Sequence, residues 1–201
     1  MEPVPSAYFS GRLTDAFDYA RALHANQPRK GTTVPYIGHL LAVTALVIEH
    51  GGDEDQAMAA LLHDAIEDQP GNGRTREEIE KKFGERVLQI VLGCTDADTE
   101  PKPPWRERKE AYVAHLATAP LEVRRVAGAD RLHNARAILA DYRRLGELLW
   151  KRFNATRDDQ LWYYRSIVTA LRRGGGAGAI TDLVDELDEV VQALEAEVGR
   201  T

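Results

Sequence analysis

The sequence predicts an all-α protein, a compact bundle of irregularly crossed helices. Two observations carry this expectation. Apolar residues recur at helical spacing in nearly every segment. No segment shows the apolar–polar alternation and turn punctuation of a sheet, and no internal repeat is present. The 201 residues fit one domain with an appended element, and 43% hydrophobic with 29% charged residues is ordinary for a globular chain.

A first helix is expected from about Thr14 to Ala25, with Phe17, Ala20, Arg21 and Leu23 marking its inner face. Asn26 to Pro35 is a loop rich in Pro, Gly and Thr. A second helix covers His39 to His50 and stops at Gly51-Gly52. Asp53 then caps a helix that carries Ala57-Met-Ala-Ala-Leu-Leu-His-Asp-Ala-Ile-Glu-Asp68. After a break at Pro70-Gly-Asn-Gly73, Thr75-Arg-Glu-Glu78 reads as a capping box. Further helices are expected near 84–94, 104–118, 121–140, 143–152 and 158–173. The chain to residue 173 is read as the main domain, Gly174 to Ala179 as a Gly-rich flexible joint, and 180–201 as an acidic amphipathic helix. Its Ile180, Val184, Leu187, Val191, Leu194 and Val198 form a heptad stripe. That stripe must be covered, either by its own bundle or by a second copy, which makes a homodimer through this helix one expectation.

A net charge of −6 and a pI near 5.6 argue against nucleic-acid binding by bulk electrostatics, while leaving room for a small anionic substrate. No apolar run approaches the ~20 residues that span a bilayer, so no membrane partner is expected. No signal peptide is seen and Cys94 is the only cysteine, so the expected compartment is the cytoplasm. Cys94 is expected to be buried. Arg131 and His133 are expected to face away from Asp130, and Lys102, Arg106, Arg108 and Lys109 to form a solvated basic stretch.

His63, Asp64, Glu67 and Asp68 share one helical face at ~3.6 residues per turn. Three carboxylates and an imidazole so close call for a positive charge among them, and a divalent cation takes both ligand types. His39 opens the preceding helix, and Asp130 and Asn134 lie one turn apart on a later one. Arg29 and Lys30 stand in the loop before His39.

His39, His63-Asp64 and Asp130 resemble the motif that names the HD-domain metal-dependent phosphohydrolases. Arg29-Lys-Gly, Pro35-Tyr-Ile-Gly-His39, Ala60–Asp68, Phe83-Gly-Glu-Arg-Val87, Cys94-Thr-Asp96 and Ala129–Arg136 are similar to the hydrolase half of RelA/SpoT-type alarmone enzymes. The likeness runs over about residues 15–172 and implies a stand-alone small alarmone hydrolase with the HD-domain fold. It implies one Mn(II) held by His39, His63, Asp64 and Asp130, and removal of pyrophosphate from the 3′ position of (p)ppGpp. Glu67 and Asp68 are then the acid–base groups. Arg29 and Lys30 are the counter-charges for phosphate, and Asn134 a ribose or phosphate contact. Two other readings stand beside this one: an HD phosphohydrolase of another nucleotide or phosphorylated metabolite, and a non-catalytic HD binding module.

Overall fold

The computed structural model describes residues 9–69, 71–96, 103–174 and 177–199. Among them lie ten α-helices and no strand; the nearest thing to a sheet is one bridge between Pro28 and Pro35. Lys102, Pro70, and Gly175 and Gly176 of the expected joint fall outside the described residues.

Helix α1 (Gly11–Leu23) is capped by the Ser10 hydroxyl and buries Ala16 and Ala20. Arg21, expected on the inner face, points outward and pairs with Asp18. Helix α2 (Ile37–Glu49) follows a loop pinned by backbone bonds from Arg29 to Val34 and from Tyr36 to Gln27, both 2.8 Å. Helix α3 (Glu54–Leu62) starts at Asp53, whose carboxylate accepts from the Gln56 amide. Every residue from Gln56 to Leu62 is buried, because α3 is wrapped by α1, α2, α6 and α8.

The expected single helix through His63-Asp64 is interrupted. Helix α3 ends at Leu62, and a four-residue α4 (Ala65–Asp68) restarts after Asp64, which sits near the bridge conformation at φ −97°, ψ −2°. The Asp68 amide donates to the Asp64 carbonyl at 2.9 Å, the opening bond of α4. Helix α5 (Arg74–Phe83) begins two residues earlier than a capping box with Thr75 as its N-cap requires. Its entry is made by Gly73 at φ 89°, while the Thr75 hydroxyl donates to the Gln69 carbonyl and Glu78 accepts from Tyr19.

Helices α6 (Glu85–Cys94), α7 (Trp105–Leu116), α8 (Leu121–Leu145) and α9 (Arg157–Arg173) follow. The expected helix over 143–152 is instead the end of the 25-residue α8 plus a 3₁₀ segment, Gly146–Arg152; Gly146, at φ 56°, breaks the α-helical path. Cys94 is buried, as expected. Tyr163 and Tyr164 join the core. Helix α10 (Thr181–Val198) folds back onto α8 and α9, burying Ile180, Val184, Leu187, Val191, Leu194 and Val198 together with Leu183. The heptad stripe is thus covered within the chain, and this face is not left open for a second copy. Gly174, within the expected joint, is packed beneath the buried Arg124 guanidinium, where a Cβ would collide. No helix among the described residues is long and apolar enough to cross a membrane.

Candidate metal centre

Three elements converge beside the α3–α4 break. His39 comes from the first turn of α2, His63 and Asp64 from the break itself, and Asp130 from the middle of α8. The Nε2 of His39 lies 3.2 Å from Asp130 Oδ1 and 3.6 Å from Asp64 Oδ2. The Nε2 of His63 lies 3.0 Å from Asp64 Oδ2 and 3.6 Å from Asp130 Oδ1. Ligand atoms of His39, His63 and Asp130 all fall within 4.8 Å of one another, and all three residues are buried. The break at His63-Asp64 is what lets two adjacent residues face one point; an unbroken helix would set them ~100° apart.

The donor chemistry fits a divalent cation. His63 Nδ1–H donates to the Ala60 carbonyl at 2.8 Å, which leaves the Nε2 lone pair facing the carboxylates. That buried Nε2 has no hydrogen-bond partner. His39 Nδ1 meets His133 Nδ1 at 2.8 Å. With Nε2 turned to a cation, the His39 Nδ1–H donates and neutral His133 accepts. Sequence reasoning sent His133 and Arg131 to another face. The structure brings both in: Arg131 pairs with Asp130 Oδ2 at 3.3 Å beneath the rings of Tyr112 and Tyr163. The adjacency of both residues to Asp130 was the available signal. A helix wheel misses it because long side chains bend back toward their neighbours.

Electrostatics agree with the geometry. Burial works against the Asp130 carboxylate, but Arg131, His39 and His63 outweigh it and hold its pKa well below the carboxylate range. Burial likewise opposes the Asp64 carboxylate, and the two histidines lower its pKa despite it. Burial disfavours the His63 imidazolium, yet Asp64 and Asp130 raise its pKa well above the ordinary value. The protein therefore presents a strongly cation-seeking cluster. Burial, then His39 and Arg29, push His133 down to about 4, so it stands neutral and able to accept. Tyr36 donates its phenol proton to Asp64, and burial followed by Asp64 raises its pKa.

Glu67 and Asp68 stand one turn beyond the break, Glu67 half-buried and Asp68 at the solvent rim. Desolvation, then Asp64, raises the Asp68 pKa, against a hydrogen bond from Gln27. Arg29 is half-buried and donates to Asn134 Oδ1 at 2.9 Å, while Asn134 Nδ2 donates to Asp130 Oδ1 at 2.6 Å. Lys30 is exposed on the same loop. Arg108 and Lys109, expected to be solvated, clasp the buried Asp96 side chain.

A helical bundle gathering His, His-Asp and Asp from separate helices defines a metal-dependent HD protein. The HD domain family model matches residues 16–161, and the chain belongs to that family. It is 39% identical over 127 residues to the guanosine-3′,5′-bis(diphosphate) 3′-pyrophosphohydrolase MESH1 of Xenopus tropicalis, covering 62% of this chain and 68% of that one. It is 35% identical over 133 residues to the bifunctional (p)ppGpp synthase/hydrolase SpoT of Escherichia coli K12, covering 63% of this chain and 18% of that far longer enzyme. Among solved structures, a metazoan ortholog of SpoT that hydrolyses ppGpp superposes with a TM-score of 0.75 at 26% identity, over 93% of this chain and 97% of that one. Protein lmo0812 of Listeria monocytogenes EGD-e superposes with a TM-score of 0.68 at 29% identity, over 77% of this chain and 96% of that one.

Proposed function

We propose that this chain is a Mn(II)-dependent 3′-pyrophosphohydrolase of guanosine 3′,5′-bis(diphosphate) and its 5′-triphosphate analogue, yielding GDP or GTP and pyrophosphate. The observation that carries the proposal is the convergence of His39, His63, Asp64 and Asp130, with two more carboxylates one turn away. The likeness to relatives named for this reaction supports it. His39, His63, Asp64 and Asp130 would hold the cation. When bound, Mn(II) supplies Lewis acidity toward a phosphoryl oxygen and makes water more acidic.

The chain's own groups do the rest. Glu67, half-buried beside the cluster, accepts the proton of the attacking water. Asp68, at the rim, hands a proton to the 3′ oxygen as its bond to phosphorus breaks. Arg29 is oriented by Asn134 and is the side chain best placed to pair with a phosphate, with exposed Lys30 adding a second charge. Asn134 is thereby tied at once to the metal cluster and to the phosphate-binding loop.

The test is to incubate the purified protein with Mn(II) and ppGpp, pppGpp, ppApp, NADPH or dNTPs, and to identify products. GDP or GTP with pyrophosphate is expected from the first two. Glu67→Gln and Asp68→Asn should each lower turnover by ~10² or more while metal stays bound. Equal turnover of an unrelated nucleotide would overturn the substrate assignment. Metal loss on either substitution would overturn the acid–base assignment.

A further inference from the structure

We propose that Gln27 is a positioning residue for Asp68, and that His24 and Gln69 fix the orientation in which its amide acts; this rests on the acid–base reading of Asp68 above. Gln27 Nε2 donates to Asp68 Oδ2 at 2.6 Å. Its Oε1 lies 2.8 Å from His24 Nδ1 and 3.2 Å from Gln69 Nε2. The logic starts at the carboxylate. Ionised Asp68 can only accept, so the Gln27 NH₂ must face it. The Gln27 carbonyl then faces two donors, the Nδ1–H of His24 and the amide of Gln69. A flipped amide would set carbonyl against carboxylate and NH₂ against NH₂.

The frame behind this amide is rigid. His24 closes α1 through its own backbone N–H to Ala20, 3.0 Å, and its ring is 3% exposed. The ring leans on Tyr36, with centroids 5.3 Å apart, and Tyr36 in turn holds Asp64. Gln69 closes α4 by donating to the Ala65 carbonyl at 3.0 Å, and its own carbonyl takes the Thr75 hydroxyl. The backbone carbonyl of Gln27 accepts from the Tyr36 amide at 2.8 Å. One framework thus orients Asp64 inside the metal cluster and Asp68 at its edge. An exposed carboxylate would otherwise rotate freely. Here Oδ2 is held and Oδ1 is left for the proton. Gln27, Asp68 and Gln69 also line one open recess of about 490 Å³, whose lining includes none of His39, His63, Asp64 and Asp130.

The experiment is a double-mutant cycle on the full chain loaded with Mn(II), with ppGpp as substrate. Gln27→Met keeps the length of the side chain and removes the hydrogen bond. It should lower kcat ~10-fold, with KM and the Mn(II) dissociation constant each within about 2-fold of wild type. In the Asp68→Asn background the same substitution should cost less than about 2-fold, because the group it positions is gone. His24→Asn, whose amide keeps a donor, should retain kcat better than His24→Phe, which should match Gln27→Met. If His24→Phe does not fold, the Gln27→Met cycle decides alone. An equal loss in both backgrounds, or weakened Mn(II) binding by Gln27→Met, would overturn the positioning role while leaving Asp68 as read. A fully active Asp68→Asn protein would overturn both, since Gln27 would have no acid–base group to orient.

Discussion

Along α10, acidic side chains meet arginines at the molecular surface. Glu186 faces Arg136 at 2.6 Å, Glu197 faces Arg143 at 3.2 Å, and Asp185 and Asp188 each face Arg172 at 2.9 Å. At the α2–α3–α8 junction the arrangement is the reverse. Two carboxylates and two imidazoles crowd a buried point, and the guanidinium there, Arg131, reaches only the outer oxygen of Asp130. The first pattern pairs charges across a docked helix whose energy comes from its apolar stripe. The second crowds carboxylates and imidazoles where burial makes charge costly. The donor set fits a divalent cation, which would offset that cost when bound. The two regions also touch. Leu183 of α10 lies where a Cβ on Gly128 would meet it at 3.1 Å, two residues before Asp130. Helix α10 therefore backs the very stretch of α8 that supplies a ligand.

The largest effect expected from this contrast is on the helix, not the cluster. Each buried aliphatic of α10 is worth about 1.5–3 kcal/mol. The six of them, with Ile180 just ahead of the helix, rival the ~5–15 kcal/mol that stabilises a whole domain. Removing residues 177–201 should leave no cooperative thermal transition, measured by circular dichroism. A truncated chain that melts cooperatively near the wild-type temperature would show that α10 is an accessory to the bundle. At the cluster the expectation is opposite. His133→Phe should weaken Mn(II) binding ~10–100-fold in calorimetric titration, because His39 loses the acceptor that fixes its ring. Stability of the metal-free protein should move by less than about 1 kcal/mol. His133→Gln, which keeps an acceptor, should recover most of the affinity. Unchanged affinity in His133→Phe would mean that α2 packing alone orients His39.

What was legible in the sequence follows the same division. Periodicity is a property of one helix at a time, so the all-α outline and the α10 stripe could be read directly. The four candidate ligands could be named because His, His-Asp and Asp follow in that order on apolar helices and resemble the HD-type motif. The local departures could not. The interruption at His63-Asp64 falls in a segment, 60–68, that holds no Gly or Pro to announce it. Thr75 and Glu78 match a capping box, but Gln69 and Tyr19, distant in sequence, claim their side chains. His133 and Gln27 act on groups 94 and 41 residues away, and such pairs carry no local spacing. Legibility ends where a side chain answers to another element instead of to its own.

The smallest effect tests whether the α10 charges matter at all beyond solubility. Asp188 is their most buried carboxylate, 7% exposed, and it is gripped by both Arg165 and Arg172. Burial opposes its charge, yet a hydrogen bond from Gln192 and the two arginines hold its pKa below the ordinary carboxylate value. A folded-state pKa lower than the unfolded one stabilises the fold above the unfolded pKa of ~3.9, and the gain fades as pH falls through the folded value. Asp188→Asn should therefore destabilise the protein by about 1–3 kcal/mol at pH 7, the range for hydrogen bonds to charged groups. As pH falls through that lower folded value the two proteins should converge, because the wild-type carboxyl takes up its proton and the pairing is lost. Urea denaturation at pH 7 and at successively lower pH follows the gap. A gap that does not narrow at all on acidification would assign the loss to packing of the Asp188 side chain. In that event the arginines along α8 and α9 would serve to cover the apolar stripe with their aliphatic stems, and the pairing of charges would be incidental to how α10 is held.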